Sequence, residues 1–76
     1  MIKADIRIKD AADIRAFNKA CLSLTEADID VVCGKMTIDG KSILGLSTLE
    51  VGRQYGMILY NTDESALERF SDFLMK

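Results

Sequence analysis

Asp28-Ile29-Asp30-Val31-Val32-Cys33-Gly34-Lys35-Met36-Thr37-Ile38-Asp39-Gly40 is the stretch that decides the fold. Ile29, Val31 and Cys33 alternate with Asp28 and Asp30, the period-two pattern of a strand with one apolar and one wet face. Gly34-Lys35 makes a short turn. Met36 and Ile38 carry a second strand on to about Asp39, so the two runs read as a hairpin. Asp39-Gly40 marks the turn that leaves it.

Working outward, residues 2–8 alternate in the same way, with Ile2, Ala4, Ile6 and Ile8 on one side and Lys3, Asp5 and Arg7 on the other. Asp10 offers a helix N-cap. Ile14, Phe17, Cys21 and Leu24 then recur at helical spacing, which predicts a helix over about 11–23 with Asp13, Arg15, Asn18 and Lys19 outermost. On the other side of the hairpin, Ser42 caps a short helix from 43 to about 50, ended near Gly52. A fourth strand covers about 54–60, with Tyr55, Met57 and Leu59 on one face and Gly56, Ile58 and Tyr60 on the other. Asn61-Thr62-Asp63-Glu64 opens a last helix whose apolar stripe is Leu67, Phe70 and Leu74, widened by Ala66 and Phe73. The order is β-α-β-β-α-β-α. Its economical packing is an α+β sandwich: a four-stranded sheet with one open, wet face and three helices on the other. Ile6, Phe17, Ile29, Val31, Leu49, Leu67 and Phe70 are the expected core.

The chain has 76 residues, a formal charge of −2 and 49% apolar residues. That length suits a single domain over 1–76 and a core, but not a deep enclosed pocket. There is no His, the commonest general base and metal ligand, and nucleophile–base pairs are absent, so an enzyme is not expected. Mild acidity argues against nucleic acid as a partner. No apolar run approaches a signal peptide or a membrane span, so a cytoplasmic location is the simplest expectation.

Gly40-Lys41-Ser42 ends like a phosphate-binding loop, but that pattern needs four residues between its glycines, and Gly34 and Gly40 enclose five. Cys21 and Cys33 fall on buried faces and read first as packing; a reactive thiol needs exposure and a nearby cation. With two Cys and no His, no metal site and no cofactor are expected. Asp28, Asp30 and Asp39 miss the calcium-loop spacing and read as the solvated side of strands. In the short helix, Leu46 and Leu49 suit the inward side. Ile43 and Leu44 cannot easily share it, which leaves an exposed docking spot or a half-buried edge.

The stretch Gly40-Lys41-Ser42-Ile43-Leu44-Gly45-Leu46-Ser47-Thr48-Leu49 resembles the second-helix signature of HPr, the histidine-containing phosphocarrier of the bacterial sugar phosphotransferase system. The family pattern there is Lys-Ser-Ile-Met-Gly-x-Met-Ser-Leu. It is matched at Lys41, Ser42, Ile43, Gly45 and Leu49, with Leu44 and Ser47 where the methionines stand. Asp28-Ile29-Asp30-Val31 resembles the family's second strand and Asp63-Glu64-Ser65-Ala66-Leu67 its last helix start. The connection around Glu50–Gly52 is about two residues shorter. The resemblance implies an HPr-like open-faced β-sandwich.

Its chemistry is another matter. An HPr opens its first helix with His-Ala-Arg-Pro, whose imidazole accepts and passes on a phosphoryl group. Aligned from Lys41-Ser42, those positions hold Ala11, Ala12, Asp13 and Ile14. Ala11 replaces the acceptor and Asp13 the Arg that would steady the phosphate. Ser42 matches the serine that, in many Gram-positive HPr proteins, is phosphorylated by a dedicated ATP-dependent kinase to create a site for a transcription regulator. The resemblance therefore implies a regulatory or adaptor protein with Ser42 as phosphorylation candidate and Ile43, Leu44 and Ser47 as partner-binding residues. The alternative is a degenerate HPr-fold binding or scaffold domain with no phosphotransfer role, in which Ser42 is an ordinary helix cap.

Overall fold

The computed structural model describes residues 1–75. It contains strand β1 (Ile2–Ile8), helix α1 (Ala11–Ser23), strands β2 (Asp28–Cys33) and β3 (Met36–Asp39), helix α2 (Ile43–Leu46), strand β4 (Arg53–Tyr60) and a 3₁₀ helix (Glu64–Phe70). The strands form one antiparallel sheet in the order β1-β4-β2-β3. Strand β4, apolar on both faces in sequence, lies inside the sheet, with Ile6 opposite Tyr55 on one side and Val31 opposite Met57 on the other.

One core fills one side of this sheet. Ile6, Ile8, Ile29, Val31, Ile38, Tyr55, Met57 and Leu59 supply its sheet half, and Phe17, Cys21, Leu46, Leu49, Ala66, Phe70 and Phe73 its helical half. Phe17 is the hinge between α1 and the C-terminal turn: its ring centroid lies 5.4 Å from that of Phe70 and 5.5 Å from that of Phe73, the latter edge-on. Such pairs contribute about 0.5–1.5 kcal/mol beyond the area they bury. Leu67, expected in the core, is half-buried at its margin.

Three local departures from the sequence expectation have physical causes. Helix α2 is a single turn, half the expected length. Gly45 lowers its helix propensity. The Ser47 and Thr48 hydroxyls donate back to the Leu44 and Gly45 carbonyls at 2.7 Å. Backbone bonds then tighten to the i−3 pattern at Thr48 and Leu49. The last helix is also tighter than expected. Three residues per turn align Leu67 and Phe70 along one edge, and the turn that follows, closed by Phe73 N–H on the Phe70 carbonyl, brings Phe73 to Phe17 as well. Asp63 caps it by accepting from the Ser65 amide and hydroxyl, and the hydroxyl bond holds its carboxyl below the usual carboxylate range. Beyond it the chain leaves the helical path: Leu74 pairs with Ile6, Arg7 N–H donates to the Phe73 carbonyl, and Met75 N–H donates to the Asp5 carbonyl. Residues 73–75 thus run along the outer edge of β1.

The third departure is Asn18. Placed outermost on α1 by its polarity, it is buried, and its amide nitrogen donates to the Gly40 carbonyl at 3.1 Å. A buried amide needs a partner, and the turn after β3 provides one.

Candidate functional site

Two helix starts carry the residues that the sequence singles out. At the first, Asp10 is the N-cap of α1 and its Oδ1 accepts from Asp13 N–H at 2.9 Å. The Asp13 carboxylate reaches back and accepts from Lys9 N–H at 2.9 Å. The pair resembles a capping box shifted by one residue: the Asp13 carboxylate takes the Lys9 amide in place of the N-cap's own. Asp13 N–H is shared between the Asp10 carboxylate and the Asp10 carbonyl, and the two acids surround the helix start with negative charge. Ala11, exposed on the first turn, offers only a methyl group. An approaching phosphoryl group meets two carboxylates, which repel it, and no imidazole.

The loop Glu50–Gly52 packs beside this region. The Tyr55 hydroxyl donates to the Glu50 carbonyl at 2.7 Å and accepts from Glu50 N–H at 2.8 Å. Gly52, at φ 81°, donates to the Ile8 carbonyl and accepts from the Arg7 guanidinium. That left-handed conformation suits glycine. Arg53 is engaged by Glu50 at 3.1 Å.

At the second helix start, the turn Asp39–Ser42 is held from three sides. Gly40 N–H donates to the Ile29 carbonyl at 2.8 Å, Asn18 holds the Gly40 carbonyl, and the Asp39 carboxylate accepts from Lys41 N–H at 2.9 Å. Gly40 is required by close approach: a Cβ there would lie 2.8 Å from Cys21 Sγ and 3.0 Å from an Ile29 methyl. Ser42, half-buried, caps α2 by accepting from Gly45 N–H at 3.1 Å. Lys41 Nζ lies 3.4 Å from the Thr25 carbonyl.

Immediately after this fixed turn, Leu44 is 81% exposed and Ile43 44%. Leu46, two residues on, is buried, as its side of the helix requires. Ser47 is exposed, but its hydroxyl is turned onto the Leu44 carbonyl. The structure therefore groups Ser42, Ile43, Leu44 and Ser47 on one turn, and places Ala11 and Asp13 on another element. Asn18, which ties α1 to the turn before Ser42, had no local signal, because its partner lies 22 residues away.

The cysteines differ from each other. Cys21 is fully buried under Gly40, and burial pushes its thiol up to about 12, with the Asp39 charge adding to the effect. A thiol so rarely ionised is a packing group. Cys33, expected on a buried face, is half-buried at the core margin. Among the described residues no three His, Cys, Asp or Glu side chains are grouped to hold a metal ion. No described helix is long and apolar enough to cross a membrane.

No family model matches the chain, and no curated protein matches it significantly. Among solved structures it is similar to the crystal structure of HPr-C-His from Thermoanaerobacter tengcongensis. The TM-score is 0.77 and the identity 21%, over 95% of this chain and 89% of that one. An open four-stranded antiparallel sheet with three helices on one side, superposing on that structure almost end to end, is an HPr-like fold.

Proposed function

We propose that this chain is an HPr-like regulatory or adaptor protein of the bacterial sugar phosphotransferase and carbon-regulation system, switched at Ser42, and not a histidine phosphocarrier. The observation that carries the reading is the contrast between its two helix starts. One has lost its acceptor at Ala11 and is closed by Asp10 and Asp13. The other keeps a serine at a rigid turn beside the exposed Ile43 and Leu44.

Phosphorylation of Ser42 would add about −1.5 to −2 charges at that turn. The phosphoryl oxygens could still accept from Gly45 N–H, so the fold should persist. Because α2 is one turn long, little helix dipole is available to stabilise the charge. The effect is on recognition: an apolar spot gains an anionic edge that Arg or Lys of a partner can bind. The partners on this reading are an HPr-type serine kinase and a transcription regulator. A second reading, a scaffold domain with no phosphotransfer role, draws support from the Ser42–Gly45 bond, which accounts for the serine as a cap alone.

Incubation with ATP and an HPr-type serine kinase from the same source tests the two. Labelling of the wild type but not of Ser42→Ala supports the switch. A wild type that stays unlabelled overturns it in favour of the scaffold.

A further inference from the structure

We propose that the open face of the sheet is a weak two-fold self-association surface, centred on Ile58, with a second copy of this chain as its occupant. The proposal is independent of Ser42, which lies at the end of the hairpin and not on this face.

The cross-strand register sets out the surface in rows. One row runs Lys3, Ile58, Asp30, Asp39 across β1, β4, β2 and β3; the next runs Asp5, Gly56, Val32, Thr37. Residues opposite each other in a sheet share a face. Since Ile6, Tyr55, Val31 and Ile38 point to the core, these rows point away from it. Ile58, Asp30 and Val32 are half-buried by their neighbours, while Lys3, Asp5 and Asp39 are exposed. Beside Ile58, Gly56 leaves a hollow walled by Val32, Lys3 and Asp5.

Charge is unevenly divided across this face. The β1 side carries Lys3 and Arg7, against the single acid Asp5. The β2–β3 side carries Asp28, Asp30 and Asp39. Lys3 and Asp30 stand in the same row but two strand spacings apart, about 9.5 Å, with Ile58 between them. Among the described residues the sole ion pair is Arg53–Glu50, so neither Lys3 nor Asp30 is paired with another of them.

A two-fold axis laid along β4, between two facing sheets, exchanges left for right and leaves each row in register. It sets Lys3 of one copy over Asp30 of the other, twice, and Ile58 beside Ile58. The neighbouring hollow gives each isoleucine room to lean. An axis across the strands would instead set β1 on β1 and acid on acid, so the charge pattern selects one arrangement of the two. Packing of facing sheets at about 10 Å is an ordinary geometry. The face offers on the order of 400–500 Å² per chain. That falls below the size of a stable interface, so the association is transient.

Sedimentation velocity on the whole chain at low salt, from about 10 µM to about 1 mM, reads the outcome. The wild type should approach twice the monomer mass at the upper end, and added salt should reduce it. Ile58→Glu should stay monomeric throughout. Lys3→Asp and Asp30→Lys should each be monomeric alone, and an equimolar mixture of the two should associate again, because opposite charges then face each other. Circular dichroism checks that each variant is folded, and the double variant Lys3→Asp/Asp30→Lys gives a second route to recovery. A wild type that stays monomeric overturns the proposal and leaves the face to another kind of partner or to solvent. Association unchanged by Ile58→Glu, or single reversals that the mixture does not rescue, overturns it as well.

Discussion

The start of α1 and the start of α2 are both built by a capping side chain, yet they are left in opposite states. At α1 the cap is double, acidic and closed on itself through Asp10, Asp13 and the Lys9 amide. At α2 the cap is one neutral hydroxyl, and the residues after it, Ile43 and Leu44, are turned to solvent. The first start spends its polar groups on its own backbone. The second keeps a modifiable oxygen and an apolar surface. On the proposed reading, recognition falls to α2; the Asn18–Gly40 bond ties α1 to the turn before it.

Changes at that junction should have the largest effects. Gly40→Ala places a methyl group against Cys21 Sγ and Ile29, both buried, and should cost about 1–3 kcal/mol by overpacking. Urea unfolding measures it, and adding Cys21→Ala should recover part of the loss. A neutral Gly40→Ala would show that the turn is not held as tightly as its three hydrogen bonds imply.

The two caps come next. Asp10→Ala should cost about 1 kcal/mol, since α1 is a full helix that packs Phe17 into the core. Ser42→Ala should cost less, about 0.5 kcal/mol, because α2 is only one turn. An Asp10→Ala cost no greater than that of Ser42→Ala would remove the distinction between the two starts.

A pH-dependent effect separates the two thiols. The folded state holds the Cys21 proton to about 12, against an ordinary value of 9.0. Its contribution is therefore complete below about pH 9 and falls as the pH rises toward 12, because the unfolded chain loses the proton first. Urea midpoints should decline above about pH 9, and Cys21→Ala should flatten the decline. In native protein a thiol reagent should react at Cys33 well before Cys21. The smallest effect expected is none: Ala11→His, with phosphoenolpyruvate and the first kinase of the phosphotransferase system, should not restore a phosphocarrier. Asp13 still stands where an Arg would steady the phosphate. Efficient labelling would show that the acidic box does not close that site.

Much of this contrast is legible in the sequence. Alternation in Ile2–Ile8 and in the hairpin placed three strands to the residue, because one face of each is buried and the other wet. Capping residues located the starts of α1 and α2, and the cluster Asn61–Glu64 bracketed that of the last described helix, which Asp63 caps. What the chain does after a cap was less legible. The shortening of α2 depends on Ser47 and Thr48 hydroxyls folding back on the backbone, and the tight last helix depends on two phenylalanines sharing one partner. Asn18 shows the same limit at the site: polarity predicts exposure, and only the tertiary approach of Gly40 reverses it. Exposure of Leu44 was open for the related reason that a one-turn helix has too few residues to define a face.

The short run Phe73-Leu74-Met75 against β1 carries a consequence for solubility. A lateral strand with unmatched amides is a template on which another polypeptide can grow, and β1 is long, regular and rich in isoleucine. With Arg7 N–H and the Asp5 carbonyl occupied by Phe73 and Met75, the C-terminal half of that growth point is covered by the chain itself. On the far side β3 is only four residues long, which limits the same hazard there. Clipping the chain after Asp72 would remove Phe73 from beside Phe17 and expose this half of the β1 edge in one cut. The expected result is a protein that loses stability and also converts, on standing, into insoluble assemblies.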